Sequence, residues 1–170
     1  MVPEREELAT IVVCEEDRGI LDHLCEYLIA DRYEVLPAPT ASDALRFCRY
    51  NHPDLMLLDS ALPDASGLDV IRQIREADGI EARFDPNLPI ILMTARGGPT
   101  GRALGLENGA DDYVQKPFHY EELSGRIRAV MRRRHHRLEG PIRVGEILID
   151  PSRRKVTVGE REGHLAKKEF

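Results

Sequence analysis

Three short, continuous apolar runs constrain the fold of this chain more than any other feature. They are Ile11–Cys14, Leu55–Leu58 and Ile90–Met93. Runs of this length, bounded by turn residues, are typical of parallel strands buried on both faces. Segments with helical periodicity separate them, and this alternation predicts right-handed βαβ units. We therefore predict an α/β fold of the flavodoxin-like type, a doubly wound sheet of five parallel strands. The predicted strands are 9–14, 33–37, 54–59, 89–93 and 111–114, and the predicted helices are 17–30, 40–50, 67–77, 99–108 and 119–136.

Polar side chains follow these strands where each one ends. The acid pair Glu15-Glu16, then Asp59, Thr94 and Lys116 come at the ends of four different strands. Open α/β sheets place their reactive groups at this edge, so we expect these side chains to meet there. Alone, each is as easily a cap or a surface residue; their joint placement favours a functional site. The set suits an Mg²⁺ ion held beside an acyl phosphate on Asp59.

The charge of the chain is uneven along its length. Residues 1–118 carry 11 Lys and Arg against 22 Asp and Glu, whereas residues 119–170 carry 13 against 8. A basic segment after an acidic domain hints at nucleic acid, although a solvated basic helix explains it as well. No secretory signal and no membrane-spanning apolar stretch is evident, and no membrane partner is expected. Three cysteines without metal-like spacing indicate core thiols in a reducing, cytoplasmic setting.

Beyond Gly140 and Pro141 the apolar period changes from helical to two. Ile142, Val144, Ile147 and Ile149, followed by Val156 and Val158, predict short antiparallel strands. About 30 residues cannot build a core of their own. We therefore predict an N-terminal extension (1–8), an α/β domain (9–136), a linker (137–141) and the start of a second, incomplete domain (142–170).

These residues resemble the receiver domain of bacterial two-component response regulators. The resemblance covers about residues 9–136 and rests on five elements in order. They are Glu15-Glu16; Asp59 with Leu62, Pro63 and Gly67; Thr94-Ala95; the run Gly109 to Val114; and Lys116-Pro117-Phe118. The segment 142–170 resembles the small N-terminal sheet that opens the winged-helix effector domain of OmpR/PhoB-type regulators. The helix-turn-helix of that domain is not in the sequence.

The resemblance implies a role for each residue of the site. Asp59 is the expected phosphoacceptor, and Lys116 and Thr94 are expected to contact its phosphoryl oxygens. Mg²⁺ is expected to bind Glu16, Asp59 and the backbone carbonyl of Ala61, with Glu15 acting through water. Thr94 and Tyr113 are the expected switch residues. This protein would not be an enzyme in the usual sense, because it would assist only its own phosphoryl transfer and dephosphorylation.

The implied function is a phosphorylation-activated response regulator. It would accept a phosphoryl group from a sensor histidine kinase, form a homodimer and control transcription, contacting DNA through the missing effector domain. Dimerisation is expected on the face of the fourth predicted helix, the fifth strand and the fifth helix. The expected intermolecular pairs are Arg102 with Glu122, Glu107 with Arg128, and Asp112 with Arg126. The same side chains could instead pair within one chain or be solvated.

One departure from the family keeps an alternative open. The family commonly has Asp at the second position of the acid pair, and this chain has Glu16. The extra methylene displaces the carboxylate at a site where Mg²⁺ geometry is strict. A phosphorylation-independent interaction module with the same fold is therefore the second hypothesis. A phosphatase of the dehalogenase type is a third, but it requires an Asp where Ala61 stands.

Overall fold

The chain divides into two compact units, residues 1–127 and 128–170. A computed structural model describes residues 8–77, 84–95, 107–137, 142–150, 155–159 and 161–164. The predicted domain boundaries at 8/9, 136/137 and 141/142 remain predictions.

The first unit contains a five-stranded parallel sheet in the order β2-β1-β3-β4-β5. Every residue of β1, β3 and β4 is buried, which explains why these strands are continuous apolar runs rather than alternating ones. The α/β fold class is thereby confirmed. The strands are β1 (Thr10–Cys14), β2 (Glu34–Ala38), β3 (Leu55–Asp59), β4 (Ile90–Thr94) and β5 (Asp112–Gln115).

Four helices lie wholly within the described part of the chain. Thr40 caps the second of them, as its Thr-x-x-Asp start predicts, because its hydroxyl accepts from the Asp43 amide. Observed and predicted bounds agree within two residues. The helix predicted at 99–108 lies outside the described residues except at its end, where Glu107 is helical. The described helices are α1 (Arg18–Ala30), α2 (Ala41–Asn51), α3 (Gly67–Arg75) and α4 (Tyr120–Arg137).

Helices cover both faces of the sheet. Alternate strand residues such as Val12, Met56 and Leu58 form one buried cluster with α2 and α3. On α1 and α4, buried leucines including Leu24 and Leu123 face the sheet's other side, and rings of these two helices stack 4.7 Å apart. This layering leaves the carboxyl ends of the strands at one edge of the sheet, where the loops to the helices begin.

Two further expectations concern the burial of the cysteines and the hydropathy of the helices. Cys14 and Cys48 are buried as expected, whereas Cys25 is partly exposed. Within the described ranges, no helix is long and apolar enough to cross a membrane.

The second unit contains a four-stranded antiparallel sheet in the order β6-β7-β8-β9. Its strands are β6 (Ile142–Val144), β7 (Ile147–Asp150), β8 (Lys155–Val158) and β9 (Arg161–His164). The first three were predicted from the period of two, and Gly145 at φ +61° makes the predicted first turn. The second predicted turn, at Pro151-Ser152, lies outside the described residues. Strand β9 was not predicted, because its sequence Arg-Glu-Gly-His has no apolar alternation.

Candidate functional site

The carboxyl ends of the parallel strands bring the predicted polar residues to one edge of the sheet. Glu15 follows β1, Asp59 ends β3, Thr94 ends β4, and Lys116 follows β5. The parallel register aligns Asp59 with Met93, and Thr94 with Gln115. Glu15, Asp59 and Thr94 are each no more than 5% exposed. Residues that are far apart in sequence therefore share one small, largely buried region.

Lys116 makes the central contacts of this region. Its Nζ donates to Asp59 Oδ2 at 2.8 Å and to Glu15 Oε2 at 2.5 Å. One ammonium group thus faces two buried carboxylates. Burial of charge is costly unless the charge is paired, and this shared pairing is what makes the buried acids tolerable.

Backbone hydrogen bonds hold the loops that carry Glu15 and Lys116 in place. The Glu15 amide donates to the Ala38 carbonyl (3.1 Å), and the Lys116 amide donates to the Thr94 carbonyl (2.7 Å). The Asp17 amide also donates to Glu15 Oε1 at 3.1 Å. The Lys116–Pro117 peptide bond is cis. Glu15 and Lys116 therefore each begin a loop while their own amides are still hydrogen-bonded to a neighbouring strand.

The loop between β3 and α3 curls back over the end of β3. Its two arms meet in an isolated antiparallel bridge between Ala61 and Ser66, and the Gly67 amide donates to the Ser60 carbonyl at 3.0 Å. The Ala61 amide donates to Asp59 Oδ1 at 3.2 Å. Both oxygens of Asp59 consequently have a donor, one from Lys116 and one from this loop.

Electrostatics in the region follow from burial and from the shared ammonium. Burial raises the pKa of Glu15, although the hydrogen bond from Lys116 opposes the rise. Burial by itself lowers the pKa of Lys116, but its hydrogen bonds with Asp59 and Glu15 outweigh burial and raise that pKa overall. The lysine is therefore a firmly charged cation, held in place to neutralise negative oxygen atoms.

Two further predicted residues are close to this cluster in sequence, since Glu16 follows Glu15 and Tyr113 comes three residues before Lys116. The side chain of Glu16 is exposed, whereas that of Glu15 is buried. Tyr113, on β5, is half-buried against the core cluster. The metal ligand, switch and phosphoacceptor assignments remain predictions, since geometry alone does not test them.

The predicted dimer face shows pairing inside a single chain. Arg126 Nη1 donates to both carboxylate oxygens of Asp112, at 3.1 and 3.2 Å, and its Nη2 donates to Glu122 at 2.8 Å. This is the intramolecular alternative considered for these side chains. Glu107 and Arg128 are exposed, and Arg102 lies outside the described residues. The intermolecular pairs stay predictions.

Sequence reasoning missed two anchoring side chains. Arg75 donates to the carbonyls of Pro86, Leu88 and Gly109 and to the Asp111 carboxylate, at 2.8 to 3.0 Å. Asp64 accepts three hydrogen bonds at the start of α2. Most of their partners are backbone groups, and all of them lie 11 or more residues away in sequence, so no local pattern marks either residue.

A doubly wound five-stranded sheet carrying an acid pair, a buried aspartate, a hydroxyl residue and a lysine at its strand ends defines a protein of the receiver class. Comparison with known proteins agrees, because residues 11–128 match the family model of the response regulator receiver domain. The chain belongs to the two-component response regulators, and specifically to those of OmpR/PhoB type. Proteins of this family are signalling proteins rather than classical enzymes.

One curated relative and two solved structures of a second protein illustrate the similarity. Response regulator MprA of Mycobacterium sp. (strain KMS) is 37% identical over 164 residues, which cover 94% of this chain and 68% of MprA. Response regulator DrrB, a Thermotoga maritima OmpR/PhoB homolog, matches with a TM-score of 0.64 at 30% identity, covering 95% of this chain and 68% of that one. A BeF3-activated DrrB receiver domain matches with a TM-score of 0.63 at 31% identity, covering 74% and 98%.

Receiver domains bind Mg²⁺ at the phosphorylation site, and the oxygen donors of this chain's site are of the kind that such an ion prefers. Among the residues that the structure describes, no three acidic, His or Cys side chains are grouped closely enough to hold a metal ion. Glu15 and Asp59 share the Lys116 ammonium, Glu16 follows Glu15 with an exposed side chain, and Ala61 lies two residues after Asp59. Mg²⁺ prefers oxygen ligands and retains several waters, so a few carboxylates are sufficient. Lys116 balances part of the negative charge of Glu15 and Asp59.

Proposed function

We propose that this protein is a phosphorylation-activated response regulator that accepts a phosphoryl group on Asp59 from a sensor histidine kinase. The observation that carries this proposal is the contact of Lys116 with both Asp59 and Glu15 at the carboxyl edge of the sheet. Such an arrangement neutralises charge where an acyl phosphate would form. Phosphoryl transfer depends on positioning and charge neutralisation more than on elaborate covalent chemistry.

In the proposed reaction a carboxylate oxygen of Asp59 attacks the phosphorus of the kinase phosphohistidine. The new P–O bond forms as the P–N bond breaks, and the imidazole nitrogen leaves with the electron pair and takes up a proton. Lys116 places its ammonium against a phosphoryl oxygen, and the Thr94 hydroxyl donates to another. Glu16, Asp59 and the Ala61 carbonyl would hold Mg²⁺, with Glu15 acting through water. The ion would supply charge neutralisation at the phosphoryl oxygens.

Activation would pass from Thr94 to Tyr113 and then to a dimer face. The ring of Tyr113 is half-buried against the core, and it would turn further inward when Thr94 moves toward the phosphoryl group. Dimerisation through Arg102, Glu107, Asp112, Glu122, Arg126 and Arg128 requires Arg126 to exchange its intrachain partners for those of a second copy. The side chains of Arg126 and Glu122 are 32% and 48% exposed, so this pair exchanges at little cost, which supports a switch at this surface. The dimer would control transcription through a DNA-binding effector domain.

Intact mass spectrometry after incubation with acetyl phosphate and MgCl₂ tests the proposal. We expect a phosphoryl adduct on the wild type and none on Asp59→Ala, while circular dichroism shows that the variant stays folded. Asp69→Asn is the matched control, because among the described residues this exposed acid on α3 bonds to Ser66 and Arg72 and to neither Asp59 nor Lys116. An adduct on Asp59→Ala would refute the assignment of the phosphoacceptor.

The exposed side chain of Glu16 favours a second candidate, a receiver-fold interaction module that works without phosphorylation. Sedimentation of the wild type and Asp59→Ala, each with and without MgCl₂ and acetyl phosphate, separates the two. Dimerisation that depends on both reagents and on Asp59 supports the phosphorylation switch. Equal dimerisation in all four samples supports the module.

A further inference from the structure

Asp64 links the loop that follows the phosphoacceptor strand to the start of α2. Its Oδ1 accepts from the Ala41 amide at 2.9 Å, and its Oδ2 accepts from the Ser42 amide at 3.0 Å and the Ser42 hydroxyl at 2.7 Å. These donors lie 22 and 23 residues earlier in the sequence. The contacts therefore join two loops that both border the candidate site.

The contacts of Asp64 complement those of the helix's own cap. Thr40 accepts from the Asp43 amide, which leaves the first two amides of α2 to another acceptor. Asp64 supplies that acceptor, and a carboxylate is favoured at a helix N-terminus. The Ser42 hydroxyl bond, followed by the two amide bonds, lowers the pKa of Asp64, so its carboxylate is ionised at neutral pH.

The other side of the same loop contacts Asp59. Asp64 lies between the two residues of the bridge, Ala61 and Ser66, and the Ala61 amide donates to Asp59 Oδ1. The residues just before α2 contact the acid-pair strand, because the Cys14 thiol donates to the Thr40 carbonyl and the Glu15 amide to the Ala38 carbonyl. Asp64 thus ties the Ala61 side of the site to the Glu15 side.

We propose that Asp64 is a positioning residue for phosphoryl transfer at Asp59, because it holds the backbone of Ala61 in place through its bonds to the start of α2. This inference rests on the proposed function, in which the Ala61 carbonyl is an Mg²⁺ ligand. A loop released at its tip leaves Ala61 free to shift, and shifts of this kind are costly at a site with strict ligand geometry.

Asp43→Ala is the matched control for Asp64→Ala. Asp43 is also an acid in the first turn of α2, but it bonds to Thr40 and Arg46 and not to the loop after β3. Both variants weaken the start of α2. A purely structural role for Asp64 therefore predicts equal effects, whereas a positioning role predicts that Asp64→Ala alone alters the site.

The experiment measures the initial rate of phosphoryl-adduct formation from acetyl phosphate across a series of MgCl₂ concentrations. For Asp64→Ala we expect the half-saturating Mg²⁺ concentration to rise by about fivefold to tenfold, and for Asp43→Ala by less than about twofold. Asp64→Asn keeps a side-chain oxygen that can accept from the Ala41 amide, and it should fall between the wild type and Asp64→Ala. It also serves if Asp64→Ala does not fold.

A second readout uses MgCl₂ alone and follows the backbone amide signal of Ala61 by NMR. A weaker Mg²⁺ response of this signal in Asp64→Ala than in Asp43→Ala supports the inference even if the wild type takes no phosphoryl group, a result that would refute the proposed function by itself. Equal Mg²⁺ dependence of the two variants overturns the inference. So does a wild type whose Ala61 amide does not respond to Mg²⁺.

Discussion

Replacing Gly67 by alanine tests how closely α3 must approach the strand that carries Asp59. A Cβ on Gly67 would lie 2.4 Å from the Asp59 carbonyl oxygen and 3.0 Å from the Cα of Ser60. Side-chain carbons essentially never approach other atoms within 3.0 Å, so the two segments must separate by at least 0.6 Å, the difference between 3.0 and 2.4 Å. Both contacts are to backbone atoms, which cannot rotate away.

The cost of this separation can be bounded. Overpacking of a well-packed region costs about 1–3 kcal/mol, and the rigid partners here place Gly67→Ala in the upper half of that range. We expect a loss of roughly 2–3 kcal/mol in the free energy of unfolding, measured by urea titration of the helical circular dichroism signal. Because the displaced carbonyl belongs to Asp59, the rate of phosphorylation by acetyl phosphate should also fall by about tenfold or more.

Gly125→Ala is expected to stabilise the protein, in contrast to Gly67→Ala. Gly125 lies inside α4, and a Cβ there would meet nothing within 4 Å. Alanine is a better helix former than glycine, so Gly125→Ala should raise the free energy of unfolding by about 0.5–1 kcal/mol and leave the rate of phosphorylation unchanged. A Gly67→Ala protein as stable and as reactive as Gly125→Ala would refute the reasoning about the close approach.

Three further perturbations have expected outcomes. Arg75→Met should lower the free energy of unfolding in urea by about 2–4 kcal/mol, because three carbonyls and a carboxylate lose their hydrogen-bond donor. The control Arg72→Met removes an exposed ion pair and should change that free energy by less than about 0.5 kcal/mol. Equal losses in the two variants would contradict the anchoring role of Arg75. Burial raises the pKa of the Cys48 thiol from 9.0 to about 12. At pH 8 iodoacetamide should therefore label the partly exposed Cys25 first, and it should label Cys48 about a thousandfold more slowly than an ordinary thiol, with the rate at Cys48 increasing as the pH is raised. Comparable labelling rates for Cys25 and Cys48, measured by peptide mass spectrometry, would refute the burial of Cys48. Glu16→Asp should lower the half-saturating Mg²⁺ concentration for phosphorylation by about threefold or more, since the shorter acid restores the common ligand length; a higher value would show that Glu16 suits this site.

The fold was predictable because its signals are local. Uninterrupted apolar runs such as Leu55–Leu58 mark strands buried on both faces, and β3 is indeed fully buried. Thr40 marked the start of α2 for a similar reason, since a cap and the amide it accepts from are three residues apart. Strand β9 escaped notice because it is held by pairing with β8 rather than by an apolar pattern of its own.

Placement of the site residues at one edge was also predictable, since parallel strands carry whatever follows them to the same side. The contacts among them were not. That Lys116 would bridge Glu15 and Asp59 depends on side-chain length and on the distance between strands. The roles of Arg75 and Asp64 depend largely on backbone groups of other loops, and residue type and spacing do not reveal such partners.

The bridging lysine connects the chemistry of the site with a change of state. Before reaction, Lys116 divides its charge between Asp59 and Glu15, two acids that are almost fully buried. In the proposed reaction the Asp59 carboxylate becomes a neutral acyl oxygen, and its charge moves outward onto the phosphoryl group. A flexible lysine can follow that charge, and Glu15 then loses part of the pairing that made its burial tolerable. The less well compensated charge of Glu15 then acts on the loop between β1 and α1, which is hydrogen-bonded to the end of β2 because the Glu15 amide donates to the Ala38 carbonyl. Phosphorylation would therefore change the interactions of Glu15 as well as those of Thr94. Asp64 joins the loop after Asp59 to the start of α2, which lies next to Glu15.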